Sequence, residues 1–468
     1  MAIATVNPAT GETLRTFDPL TPEETVRRIA AAASAFEEYR LKGFAERSRL
    51  MRAAADLLER ENEPAARMLT TEMGKTIGAA RAEASKCVKA MRWYAQHAEA
   101  LLGDEYPSQP DVEDSGAIAA RVVYRPLGPV LAVMPWNFPL WQVIRFAAPA
   151  LMAGNTALLK HASNVPQTAL YLEELFHRAG FPDGCFQTLL VPSSSIEAVL
   201  RDPRVVAATL TGSEGAGRSV AAVAGDEVKK TVLELGGSDP YIVMPSGDLD
   251  AAVRIAVTAR VQNNGQSCIA AKRFIVHADV HDVFLQRFTA EMSELTVGDP
   301  MDESTDVGPL SSEQARDDLA EIVDDAVGKG ARAECGGRRP QGLDRGWFYA
   351  PTVLTGVTEE MRIHREETFG PVASVYRVPD LRAAIRLANA TSFGLSSNIW
   401  TQDEDERAVF IRDLEAGGLY FNGMTASHPA LPFGGVKRSG YGRELAGHGI
   451  KEFCNATTVW VGPGSGQQ

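Results

Sequence analysis

Cysteine is scarce in this chain, and the spread of the few that occur argues against two common uses. Five cysteines, Cys87, Cys185, Cys268, Cys335 and Cys454, lie in 468 residues. Their odd number and wide spacing give no sign of a disulfide framework, and no CxxC or HExxH pattern points to a metal site. A reducing compartment is expected. Apolar runs are short as well: none approaches the roughly 18 residues that a membrane-spanning helix needs. The first residues, Met1 to Pro8, lack a basic region followed by an apolar core. Excess positive charge is also missing, since 47 basic residues face 60 acidic ones for a net charge of -13. That balance disfavours nucleic acid and anionic membrane as partners and leaves a cytoplasmic globular protein as the expectation.

What is present fits that class. Hydrophobic residues make up 45% and charged residues 23% of a chain long enough for two or three domains. Residues 21 to 105 carry Ala/Leu/Glu/Arg-rich stretches, such as Pro22 to Ala33 and Ala45 to Glu59, and read as helical. Between Gly116 and Gly128 the text turns β-branched, predicting a hairpin that leads into a buried strand at Val130 to Met134. Short apolar runs at Thr156 to Leu159, Phe186 to Val191, Val205 to Leu210 and Tyr241 to Val243 then alternate with helical segments, the rhythm of βαβ units. A second such rhythm follows Asp248, through the helix Ala251 to Val261, the strand Arg273 to Val276 and the helix Asp282 to Leu295. From Gly298 to Gly346 the sequence is polar and Gly-rich. A domain boundary is expected near Glu234 to Asp239, and the tail from Ala456 to Gly462 reads as a strand able to extend a sheet, in this subunit or another.

Three segments carry candidate chemistry. Asn263-Asn264-Gly265-Gln266-Ser267-Cys268 puts a thiol after a polar turn, where backbone N–H groups could face a developing oxyanion. Glu234-Leu-Gly-Gly sets a carboxylate before a tight turn, as a general base toward water would require. Trp136-Asn137-Phe138-Pro139 fixes one amide between prolines at a strand end, which suits an oxyanion donor. Each has a bland reading alone: a buried apolar cysteine, a capping acid, a proline-bounded loop.

Together, in this order, these segments resemble the aldehyde dehydrogenase superfamily over nearly the whole chain. The similarity starts at Asn7-Pro-Ala-Thr-Gly-Glu12 and runs through Lys160, Thr211-Gly-Ser213 and Glu366-Glu-Thr-Phe-Gly-Pro371 to Pro432-Phe-Gly-Gly-Val-Lys-Arg-Ser-Gly440. The resemblance implies two Rossmann-type α/β domains plus a small β oligomerisation extension. It places a split cofactor domain at 1–105 and 129–235, a catalytic domain at 236–440 and the extension at 106–128 and 441–468, with a homodimer or homotetramer as the assembly. It also implies that Cys268 attacks an aldehyde, that Asn137 and the Cys268 N–H hold the oxyanion, and that Glu234 activates the hydrolytic water.

For the cofactor, the resemblance assigns Trp136, Lys160, Gly212, Ser213, Glu367 and Phe369 to a nicotinamide dinucleotide. The family often has an acidic residue three positions after the lysine, at the ribose 2'-hydroxyl; here it is Ser163. A neutral hydroxyl there removes repulsion of a 2'-phosphate, so NADP is expected over NAD.

For the substrate, Lys160-His-Ala-Ser, Leu235-Gly-Gly-Ser-Asp-Pro and the segment before Cys268 are similar to the succinate semialdehyde dehydrogenase branch. Arg145 matches an arginine that binds the substrate carboxylate in that branch, and Ser427 and Gln262 are expected to help. Gln262 is a departure, because some members carry an arginine there. A broad-specificity dehydrogenase of short aldehydes is the near alternative. A cysteine hydrolase is disfavoured by the cofactor motifs, and an inactive relative by the presence of both Cys268 and Glu234.

Overall fold

The computed structural model describes residues 2–463. Two largely parallel sheets organise the chain into an α/β fold of Rossmann type. In spatial order across the first, six-stranded sheet, the strands are Gly440–Tyr441, Lys230–Glu234, Ala207–Thr211, Pro129–Met134, Thr156–His161 and Phe186–Thr188. All pair in parallel except Gly440–Tyr441, which runs antiparallel to Lys230–Glu234. Thr156–His161 is buried at every position, without the alternation of a half-exposed strand, as a central parallel strand should be.

The second, seven-stranded sheet orders Arg332–Cys335, Thr352–Thr355, Val372–Val378, Arg273–His277, Pro240–Val243, Ser396–Trp400 and Gly418–Phe421. Only its first pair is antiparallel. Lys230–Glu234 and Pro240–Val243 therefore belong to different sheets, and residues 235–239 form the passage between them.

Local chemistry explains the helices that frame the site. Thr21 and Glu24 close a capping box at the start of Pro22–Tyr39, with Pro22 in the first turn. Thr76 caps Ile77–Leu101, which packs alongside Phe44–Arg60 and Trp141–Ala153. The last of these is buried along its whole length, Gln142 and Arg145 included, so its polar side chains must find partners inside the protein.

One expectation is corrected. Residues 119–126 do not fold back as a hairpin; Ala119–Pro126 pairs antiparallel with Cys454–Val461, so the two ends of a mostly exposed ribbon come from distant parts of the chain. Residues 464–468 of the expected extension lie outside the described residues. Within the polar, Gly-rich stretch 298–346 lies the helix Glu313–Gly328, which buries Leu319, Ile322, Val323 and Ala326 along one face. The strand Ile3–Asn7 also pairs with Glu12–Phe17, a hairpin the sequence reading had not drawn. Among the described residues no helix is long and apolar enough to cross a membrane, and no group of metal-ligating side chains occurs.

Candidate active site

Strand order fixes where a ligand can lie. From Pro129–Met134 the first sheet grows outward through Thr156–His161 and Phe186–Thr188, then restarts on the other side with Ala207–Thr211. A crevice opens at the carboxyl ends of strands flanking such a switch point. Pro135, Trp136 and Asn137 leave one strand there, and Thr211, Gly212 and Ser213 leave the other. Both groups line a cavity of about 240 Å³ that Cys268, Glu367 and Phe369 also reach.

The Trp136 loop is held from beneath. His161 Nε2 donates to the Pro139 carbonyl at 2.9 Å, and burial lowers that imidazole to about 4, leaving it neutral. Glu83 accepts the Leu140 and Trp141 N–H groups at 2.8 and 2.9 Å while pairing with buried Lys75. Trp136 meets Phe369 edge-on, with ring centroids 5.8 Å apart.

Cys268 arrives from the second sheet on a turn whose conformation is heavily determined. Asn263 and Asn264 sit in the left-handed region, at φ 56° and 57°, which asparagine tolerates better than most residues. Asn264 Nδ2 donates to the Gly74 and Pro309 carbonyls at 2.8 and 3.0 Å, and its Oδ1 accepts from the Gly308 N–H at 2.9 Å. Lys272 Nζ gathers the carbonyls of Ser267, Cys268 and Ala270 at 3.0, 2.8 and 3.2 Å. Asn137 Nδ2 donates one N–H to the Gln266 carbonyl at 3.2 Å, which leaves its second N–H free. Burial pushes the Cys268 thiol up to about 12, while Arg145 and Lys272 pull it down.

Glu234 ends its strand in a different setting. It is buried, and neither carboxylate oxygen has a hydrogen-bond partner. Burial raises its pKa well above the usual carboxylate range, and the neighbouring Glu444 adds to the rise. Gly434, at φ +152°, borders this pocket; a Cβ there would stand 2.7 Å from Glu234 Oε1. Glu234 is absent from the lining of the Cys268 cavity, so the structure brings Asn137 and Cys268 together but holds the glutamate aside. The turn after it is locked by Ser439, whose Oγ donates to the Gly236 carbonyl at 2.6 Å.

The three residues expected at a substrate carboxylate stand apart from that cavity. Arg145 is ion-paired with buried Glu444, lies 4.7 Å from the Phe433 ring centroid, and donates to Thr211 Oγ1 at 3.3 Å. Glu444 faces it because the 433 and 444 backbones pair with each other. Gln262 turns back toward the Ala259 carbonyl at 3.4 Å. Ser427 Oγ accepts from Lys86 at 2.7 Å, a lysine the sequence reading passed over.

The residues expected at a dinucleotide fit one. Ser213 caps the helix Glu214–Asp226, so free N–H groups face the crevice. A Cβ on Gly215 would meet nothing within 4 Å and one on Gly212 only Leu210 at 3.6 Å, which leaves room for a pyrophosphate. Lys160 is buried, and its lowered pKa has burial as its only cause, without a charged partner. Ser163, half-buried, lies just beyond it. Glu367 accepts from the Gly237 N–H at 3.1 Å and faces Lys272 at 3.4 Å.

This crevice sets the Cys268 thiol beside the free Asn137 N–H and the helix start at Ser213. The chain belongs to the aldehyde dehydrogenase family, whose pattern matches residues 1–459. It is 63% identical over 462 residues to a Mycobacterium tuberculosis protein named succinate-semialdehyde dehydrogenase (NADP+) 1, covering 98% of this chain and 100% of that one. A Mycobacterium avium protein named succinate-semialdehyde dehydrogenase (NADP+) is 63% identical over 463 residues, 99% of this chain and 97% of its own. Among solved structures, succinic semialdehyde dehydrogenase from Streptococcus pyogenes in complex with NADP+ superposes with a TM-score of 0.94 at 35% identity, covering 98% of this chain and 99% of that one.

Proposed function

We propose that this chain oxidises succinate semialdehyde to succinate, with NADP as the preferred hydride acceptor. The observation that carries the reading is the meeting of Cys268, the free Asn137 N–H and the helix start at Ser213 in one crevice, in a chain so close to relatives named for this reaction. Ser163 and unpaired Lys160 support the 2'-phosphate preference.

The steps follow from the side chains. Cys268 Sγ, once deprotonated, adds to the aldehyde carbon; Arg145 and Lys272 favour its thiolate. Asn137 Nδ2 and the Cys268 backbone N–H take the charge on the former carbonyl oxygen. A bound nicotinamide supplies the acceptor for the hydride that leaves this carbon, whereupon Cys268 carries a thioester. Glu234 then removes a proton from water, which attacks the thioester and frees Cys268. The ribbon of Ala119–Pro126 and Cys454–Val461, with exposed Tyr106, Ile118 and Trp460 nearby, is the expected contact of a homo-oligomer.

A second reading, a broad-specificity enzyme for short aldehydes, is favoured by one observation: Glu444 already neutralises Arg145. The test is kcat/KM for succinate semialdehyde and butanal, each with NADP and NAD. The proposal expects the acid to lead by about 100-fold, near 2.7 kcal/mol, with NADP ahead. Equal rates for the two aldehydes leave only the broad reading.

A further inference from the structure

The two donors at the reacting oxygen are held in different ways. The Asn137 side chain is fixed by its own hydrogen bonds, to the Gln266 carbonyl and from the Phe138 N–H. The Cys268 N–H can be aimed only through the peptide that carries it. That peptide is planar and trans, so its carbonyl, which belongs to Ser267, points opposite to the Cys268 N–H, and whatever holds the one directs the other. Among the described residues the Cys268 N–H reaches no acceptor. The Ser267 carbonyl takes two donors, the Ala270 N–H at 3.1 Å and Lys272 Nζ at 3.0 Å.

Lys272 is anchored firmly enough to direct that peptide. It stands one residue before the strand Arg273–His277; its N–H donates to the Asp239 carbonyl at 3.0 Å, and its carbonyl accepts from the Ser374 N–H at 3.0 Å. Its side chain runs back to the Ser267, Cys268 and Ala270 carbonyls. Only 2% exposed, the ammonium needs a counter-ion, and Glu367 Oε1 supplies one at 3.4 Å while accepting from the Gly237 N–H at 3.1 Å. The packing leaves no slack, since a Cβ on Gly237 would stand 2.7 Å from the Cys268 carbonyl oxygen.

The choice of a cation is informative. The adjacent Gln266 carbonyl is met by neutral amides, those of Asn137 and Asn263 at 3.2 and 3.0 Å. Burying an ammonium to close a turn is costly where an amide suffices. What the charge adds is polarisation: a cation on a peptide oxygen draws electron density from the N–H of the same peptide, and hydrogen bonds in series strengthen one another in a low dielectric.

We propose that Lys272 is a positioning residue of the oxyanion site: by holding the Ser267 carbonyl with a charged donor, it aims the Cys268 N–H at the substrate oxygen and makes it a stronger donor. This rests on the reading of Cys268 as the nucleophile.

The experiment compares two reactions of the same thiol. Attack on an aldehyde builds negative charge on oxygen, whereas alkylation by iodoacetamide displaces iodide at a saturated carbon and needs no such donor. The burst of reduced cofactor is followed in rapid mixing with succinate semialdehyde and saturating NADP, and alkylation by mass on the peptide that carries Cys268. In Lys272→Met the burst rate is expected to fall about 30-fold while alkylation stays within about threefold of wild type; Lys272→Arg should bring the burst back to within about fivefold. Lys272→Gln, which keeps a donor without the charge, should lose about tenfold, and it decides the matter alone where Lys272→Met does not fold. Equal losses in the two reactions overturn the assignment, marking support of the thiol or of the fold. An unchanged burst overturns it too, leaving Lys272 as a cap on the turn. In wild type, full alkylation of Cys268 with undiminished turnover sinks the nucleophile reading, and the Lys272 assignment with it.

Discussion

The turn that presents Cys268 and the pocket that holds Glu234 serve one reaction, and they are built in opposite ways. In the turn, Lys272, Arg260 and Asn137 take up consecutive backbone carbonyls, and Asn264 ties the segment to Gly74, Gly308 and Pro309. In the pocket, both oxygens of Glu234 lack donors, and Glu444 beside it makes ionisation harder. The difference follows from what each group must do. A nucleophile gains from a fixed approach, because an error of an ångström costs much of the advantage of proximity. A base that acts after the first step needs freedom to move and to change charge, and a carboxylate without hydrogen bonds has little to give up on moving.

The sharpest way to break the comparison is to disable the base and leave the turn alone. Glu234→Gln is expected to slow steady-state turnover by about 100-fold or more, while a burst of reduced cofactor near one equivalent per site survives in rapid mixing. Loss of the burst would show that Glu234 also serves the attack by Cys268, and the division between the two regions would fail.

Much of this arrangement is legible in the sequence, for identifiable reasons. The runs 130–134, 156–159 and 241–243 stand out because strands buried on both faces leave largely apolar runs. Cys268, Asn137 and Glu234 stand out because each sits in a turn with few alternatives, and because their order matches the family. The ribbon joining residues 119–126 to 454–461 is legible only through the resemblance, which groups the two segments, since periodicity marks a strand but carries no information on a partner so distant. Glu313–Gly328 is hidden by its acidic surface, although Leu319, Ile322, Val323 and Ala326 keep helical spacing. Arg145 illustrates the limit at the site: the residue type suits a carboxylate, but which carboxylate depends on Glu444, placed three hundred residues later by a backbone pairing.

A smaller effect tests the rigid side. Asn264→Leu removes three hydrogen bonds and places a branched apolar residue at φ 57°. It is expected to cost about 3 kcal/mol in urea unfolding, from left-handed strain and the polar groups left unpaired. The burst rate should fall with it, because the turn that aims Cys268 loosens. If instead stability drops and the burst rate holds, the bonds of Asn264 support the fold without aiming the thiol.

The smallest effect, and the one that most sharpens the contrast, is the pH dependence of the second step. Burial, with Glu444, raises the pKa of Glu234, so the acid is neutral at pH values where an exposed glutamate is already ionised. Only the ionised form accepts a proton from water, so thioester hydrolysis should climb as pH rises toward the raised pKa, by at most about tenfold per unit, or ~1.4 kcal/mol, and then level off. Single-turnover measurements of acyl-enzyme decay isolate this step from the titration of Cys268, which affects only its formation. In Glu234→Gln the climb should vanish, leaving a slow decay governed by hydroxide. A plateau already reached near pH 5 in wild type would mean that Glu234 is ionised early, and that the pocket solvates its charge far better than its unpartnered oxygens imply.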